Sequence, residues 1–212
     1  DAESAQEIFE LDRRGLLDER TAMVHGVALD GRGWALMKRR RASLIACPIS
    51  NLFTLRATLK KSAFASGVPI ALGTDSALTA TGDLLDALRA ARAIWGLSAA
   101  RLYRMVTSEA EQILRLPERR GDFTILRDVG KSPAQTLLEA RSVEMVIIGG
   151  KIRLVSDRLK RFAKPHWQSI WVEGRGTSWV DADVATLYRE TASRLGDKFK
   201  LSGRRVRITA TR

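Results

Sequence analysis

Val68-Pro69-Ile70-Ala71-Leu72-Gly73-Thr74-Asp75 runs from five apolar residues into a glycine, a hydroxyl and a carboxylate. A short continuous apolar run with a turn signal at its end reads as a strand buried on both faces. The same pattern occurs twice upstream. Ala42-Ser43-Leu44-Ile45-Ala46-Cys47-Pro48 is a buried strand closed by proline, and Thr21-Ala22-Met23-Val24-His25-Gly26 is another, ending on a polar residue and a glycine. Helical stretches separate them. Residues 28–40 place Trp34, Leu36 and Met37 at apolar positions, and residues 55–66 stop at Gly67. A first helix over 3–14 carries Ile8 and Leu11 and stops at Gly15. A later one, capped by Asp83, has the stripe Leu84, Leu85, Leu88, Ala91 and Ile94 and ends at Gly96.

Helices alternating with apolar strands predict a parallel sheet covered by helices. The strands end in His25-Gly26, Ser50-Asn51 and Thr74-Asp75-Ser76. In parallel sheets and barrels the chemistry gathers at those C-terminal ends. Three strands do not close a barrel, which takes roughly eight, so strands are expected beyond this chain.

Two more helices are expected at 98–106 and 108–115, the second opened by a capping box, Ser108-Glu109-Ala110-Glu111. The pattern then changes to strands at 121–126 and 143–155, with Gly149-Gly150 marking a hairpin. Residues 157–212 hold Trp167, Trp171 and Trp179 between breakers. A helix near 182–195 and a last strand at 205–209 follow.

The 212 residues carry a formal net charge of +12. Lys and Arg are read as spread through the helices, with the run Lys38–Arg41 complementing a helix dipole at its C-terminus. Signatures of nucleic-acid binding are absent, so that partner is not expected. One cysteine, Cys47, excludes an intrachain disulfide, and with two histidines the chain cannot build a zinc finger. No apolar run approaches the roughly 20 residues that span a membrane, and a cytoplasmic location is expected. The chain opens on Asp1 and not on Met, with a helix almost at once, as a fragment or a cleaved product does.

Three motifs in order carry a resemblance: Val24-His25-Gly26-Val27-Ala28-Leu29-Asp30, Cys47-Pro48-Ile49-Ser50-Asn51-Leu52, and Ala71-Leu72-Gly73-Thr74-Asp75-Ser76. They resemble the last three strand motifs of the amidohydrolase superfamily, in the branch holding triazine chlorohydrolases and guanine deaminase. The resemblance covers about residues 1–155. It implies an α/β fold: the C-terminal part of a (β/α)8 TIM-type barrel plus C-terminal strands of a small β-sandwich. Residues 1–117 would be the partial barrel, 118–156 the sandwich segment, and 157–212 an extension of unassigned role.

The resemblance also implies roles. Asp75 would ligate a divalent metal, zinc foremost, and take a proton from metal-bound water; His25 would polarise the substrate without being a main ligand. The ordinary alternatives are a turn-capping aspartate and a histidine satisfied by backbone. Ser50 and Asn51 are candidate substrate contacts, although side-chain bonds to backbone that shape a loop are the more ordinary reading. Cys47 reads as a small core residue and His166 as a surface or packing residue. The family's first-strand His-x-His pair and fifth-strand histidine have no counterpart here, so the chain alone is expected to retain no metal. The parent would then hydrolyse C–N bonds of a small ring or amide substrate, by deamination or amide hydrolysis, and this chain alone would be inactive. A different reading is a non-catalytic structural or oligomerisation domain. Self-association to cover open sheet edges fits both.

Overall fold

The computed structural model describes residues 3–116 and 121–209. The chain divides into two compact units, Asp1–Leu116 and Pro117–Arg212. The boundary expected at residue 117 falls in 117–120, outside the described residues.

The first unit runs α1 (Glu7–Arg13), β1 (Ala22–Val24), α2 (Gly31–Arg40), β2 (Ser43–Ala46), α3 (Pro48–Leu55), α4 (Lys61–Ala65), β3 (Ile70–Leu72), α5 (Leu84–Trp95), α6 (Ala99–Val106) and α7 (Ser108–Leu114). The strands form a parallel sheet in the order β1-β2-β3, with Val24 beside Ile45 and Ile45 beside Ala71. Leu44 and Ile70 are fully buried, and Leu36, Met37, Leu88, Leu102 and Met105 close the core around them. The helices start where short polar side chains cap them: Asp30 accepts from the Gly33 amide, and Asp83 forms a reciprocal box with Asp86.

Three expectations are corrected. β1 is not buried: Ala22 and Val24 are exposed on one edge of the sheet, whereas β3, at the other edge, is buried beside α6 and α7. Pro48 does not lead into a loop. It occupies the first turn of α3, where its missing N–H costs no bond. The cap of α7 is Thr107, without a side-chain cap bond; Glu109 instead pairs with Arg101 and Arg104.

The second unit adds β4 (Phe123–Ile125), α8 (Pro133–Glu139), β5 (Met145–Ile148), β6 (Lys151–Ser156), a 3-10 turn (Asp157–Phe162), β7 (Gln168–Val172), β8 (Gly176–Val180), α9 (Val184–Leu195), β9 (Lys200–Leu201) and β10 (Arg204–Thr209). All seven strands share one sheet in the order β4-β5-β6-β8-β7-β10-β9. Gly149 and Gly150, both at positive φ, turn the β5–β6 hairpin as expected. Residues 157–209 are not a separate extension: β8 pairs with β6, and the sheet continues through β7, β10 and β9. Met145, Val155 and the buried Trp167 form this unit's core, with Ile147, Ile152 and Trp179 against it. Among the described residues, no helix is long and apolar enough to cross a membrane.

Candidate functional site

The C-terminal ends of β1, β2 and β3 bring four polar side chains together. The His25 amide donates to Ile45 O at 3.0 Å, the last bond β1 makes to β2 before the chain turns away. Gly26 follows at φ +63, where a Cβ would stand 2.7 Å from Leu44 Cδ1, so a side chain there strains the backbone and displaces the buried Leu44. On β3, the Gly73 amide donates to Ala46 O at 2.9 Å, and Asp75 stands just past that bond.

His25 (φ 72) and Asp75 (φ 65) both occupy the left-handed region, which costs a residue bearing a Cβ. Of the other non-glycine residues there, Arg41, Arg56 and Arg115 close helices and Ser202 turns the β9–β10 hairpin. His25 and Asp75 close no element of that kind. Their backbone is bent at the strand tips, where the two side chains face each other with Nε2 of His25 3.9 Å from Oδ2 of Asp75.

Ser50 and Asn51 complete the set from the first turns of α3. The Ser50 hydroxyl donates to Asp75 Oδ2, and Thr79 donates to the same oxygen at 3.2 Å. Asn51 Oδ1 lies 2.7 Å from Nδ1 of His25. Both residues are fully buried. Their side chains engage the two strand-end residues and not the backbone of a loop, which corrects the more ordinary of the two expectations. Because α3 begins at Pro48, consecutive residues can point one to each side, towards Asp75 and towards His25.

Asp75 is held below the usual carboxylate range, chiefly by the Ser50 hydrogen bond, with the Ser76 amide, Thr79 and His25 adding to it and desolvation opposing it. The carboxylate is therefore ionised at neutral pH. Burial pushes the Cys47 thiol to about 11, with the negative charge of Asp75 a smaller cause. The thiol is buried and protonated, as the core reading expects, and it is not a nucleophile. His166 belongs to the second unit, exposed, with Nε2 3.2 Å from Asp181. Thr79 was not legible: nothing in Leu78-Thr79-Ala80-Thr81 marks one threonine over the other.

A zinc site takes three or four protein donors. One carboxylate and one imidazole converge here, and the Cys47 thiol is withheld by burial. Among the described residues no group of three or more His, Cys, Asp or Glu side chains could hold a metal. The donors present do not make a metal centre by themselves.

Residues 1–153 match the Amidohydrolase family. Over 112 residues the chain is 33% identical to a 5-methylthioadenosine/S-adenosylhomocysteine deaminase of Pyrococcus furiosus, covering 50% of this chain and 25% of that protein. Among solved structures, an adenosine deaminase from Xanthomonas campestris with bound zinc aligns over 88% of this chain and 44% of its own, with a TM-score of 0.67 at 23% identity. Atrazine chlorohydrolase from Arthrobacter aurescens, complexed with zinc, aligns over 91% of this chain and 46% of its own, with a TM-score of 0.65 at 17% identity. E. coli guanine deaminase aligns over 66% and 40%, with a TM-score of 0.58 at 22% identity. At these identities the likeness is one of fold. The chain spans a quarter of the curated relative and less than half of each of these structures.

Proposed function

Because this chain belongs to the amidohydrolase family, we propose that it supplies the last three strand-end motifs of a hydrolase that cleaves C–N bonds in a small ring or amide substrate. One observation carries the reading: Asp75, His25, Ser50 and Asn51, from three separate motifs, converge on the C-terminal edge of one parallel sheet. Water adds to an sp² carbon bonded to nitrogen. Asp75, ionised and oriented by Ser50 and Thr79, takes the proton of that water and passes it to the departing nitrogen. His25, on taking up a proton from solvent at Nε2, offsets the negative charge that develops on the substrate. The substrate lies over Asp75 and His25 at the strand ends, with the buried Ser50 and Asn51 behind them.

The three-stranded sheet is then part of a (β/α)8 barrel, and its open β1 edge is where a further strand or a second copy of the chain adds. The zinc of the two neighbours would need donors beyond Asp75 and His25. The 212-residue chain alone is therefore expected to hold no stoichiometric zinc and to release no ammonia. The test pairs zinc analysis with an ammonia-release screen on aminopurines and aminotriazines. It is run on this chain and on any longer protein that carries it. Tight one-to-one zinc and turnover in the 212-residue chain would overturn the reading of an incomplete site. A longer protein with no turnover would overturn the hydrolase reading.

A further inference from the structure

Asn51 is fully buried, and its Nδ2 has no hydrogen-bond partner among the described residues. A site that needed only packing would carry an apolar side chain such as leucine, which branches at the same carbon and strands no donor. The interaction that the amide keeps is the one to His25, with Oδ1 2.7 Å from Nδ1. A carboxamide oxygen can only accept, so with Oδ1 on the side of His25 it is Nδ1 that carries the proton. A neutral imidazole protonated at Nδ1 has its lone pair on Nε2. That nitrogen is the one facing Asp75, at 3.9 Å.

We propose that Asn51 is a positioning residue that locks neutral His25 in its Nδ1–H form, leaving Nε2 as the nitrogen that works on the substrate. The inference rests on the proposed hydrolysis for its purpose, and its geometry stands without it. An imidazole free in water favours the other tautomer, with the proton on Nε2. That form would turn an N–H towards the cleft at rest and leave Nε2 unable to accept a proton. With Nδ1–H committed to Asn51, the proton that His25 gains goes to Nε2 and is aimed at the substrate and Asp75. Ser50, the neighbouring residue of α3, orients Asp75 in the same way, so one helical turn sets both partners.

The tautomer can be read directly by ¹⁵N NMR of the histidine-labelled chain, above the histidine titration range and without any turnover. The chain has two histidines, and His166 is an internal reference because its Nε2, not its Nδ1, faces a carboxylate. His25 is expected to show a protonated Nδ1 and a bare Nε2, and His166 the reverse. Asn51→Asp keeps an acceptor and preserves the His25 pattern. Asn51→Leu releases His25 towards the Nε2–H form and leaves His166 unchanged. A wild-type His25 protonated at Nε2, which an amide turned to donate from Nδ2 would produce, overturns the proposal whether or not either variant folds. So does an Asn51→Leu chain with an unmoved His25 pattern. Either result leaves the hydrolase reading standing, since that depends on turnover.

Discussion

The two units handle charge in opposite ways. Residues 1–116 carry 16 Lys and Arg against 13 Asp and Glu, whereas residues 117–212 carry 20 against 11. In the first unit β2 and β3 hold no charged residue, because a parallel sheet covered by helices buries both faces. Polar side chains are pushed to the strand ends, and the four candidate site residues gather there. In the second unit the antiparallel strands carry charge along their length, with Lys151 and Arg153 on β6 and Arg204, Arg205 and Arg207 on β10. The Lys and Arg residues are spread through the helices of both units, as expected, and a further set lies on the strands of the second unit, which carry no acid of their own. Some of these cations have local partners: Arg153 pairs with Asp181, Arg205 with Glu173, and Arg207 lies over the Trp171 ring. Net charge therefore describes the second unit and says little about the site.

If the chemistry belongs to the first unit alone, the largest effect should come from Asp75→Asn. In a form of the protein that turns over substrate, kcat should fall roughly 10²–10⁴-fold, the usual cost of losing a proton-transfer group. Unfolding should lose only the contribution of the ionised carboxylate's hydrogen bonds from Ser50 and Thr79, because the two side chains are nearly the same size. Near-normal turnover with a lowered melting temperature would reduce Asp75 to a turn residue.

The opposite pattern is expected at Trp167. It is the largest buried side chain of the second unit's core. Trp167→Ala should cost about 3–5 kcal/mol in chemical denaturation without moving the His25 or Asp75 signals. Trp167→Phe should cost much less, because it keeps most of the ring and removes an indole N–H that has no partner in the structure. A midpoint unchanged by the alanine would mean that the core lies elsewhere. Gly26→Ala probes the join between fold and site. It forces a Cβ at φ +63 and 2.7 Å from Leu44 Cδ1, and about 1–3 kcal/mol of stability should be lost. Because the strain falls next to His25, the His25 signals should shift as well. A stable variant with those signals unmoved would show that the turn at Gly26 does not hold the histidine.

What the sequence revealed follows the same division. The three strands of the first unit were readable because each is a continuous apolar run closed by a turn signal. Asp83 and Gly96 were readable because caps have strong residue preferences. The start of α3 was hidden by Pro48, which ends one element and begins the next with no residue between. That concealed the helical setting of Ser50 and Asn51, and with it their aim. The pairing of β6 with β8 joins Leu154 to Val180 across a 3-10 turn and β7. No local signal specifies a contact at that separation, so residues 157–212 read as an extension when 157–209 are the continuation of a sheet.

The smallest effect contrasts two carboxylates, one in each unit. Glu173 is held from 4.5 down to about 2, first by its side-chain hydrogen bonds from Arg205 and then by the Arg205 amide. Arg205 Nη2 and Nε reach Oε1 at 2.7 and 3.2 Å, and its backbone N–H reaches Oε2 at 3.1 Å. Asp75 is also lowered, but chiefly by a neutral hydroxyl. Both folded-state values are depressed, so both groups stabilise the fold fully above their unfolded values. That contribution is lost as pH falls, for Glu173 between about 4.5 and about 2. The pair is exposed, so its contribution is small and screened by salt. Glu173→Gln should flatten the acid side of the stability curve in that window. In the wild type, added sodium chloride should flatten the same segment, because it weakens the attraction of a cation. Ser50→Ala should remove the Asp75 contribution, which salt should leave largely in place, since a hydroxyl donor carries no charge to screen. Equal salt sensitivity at both sites would show that the attraction of His25, not the hydroxyls, holds Asp75 down.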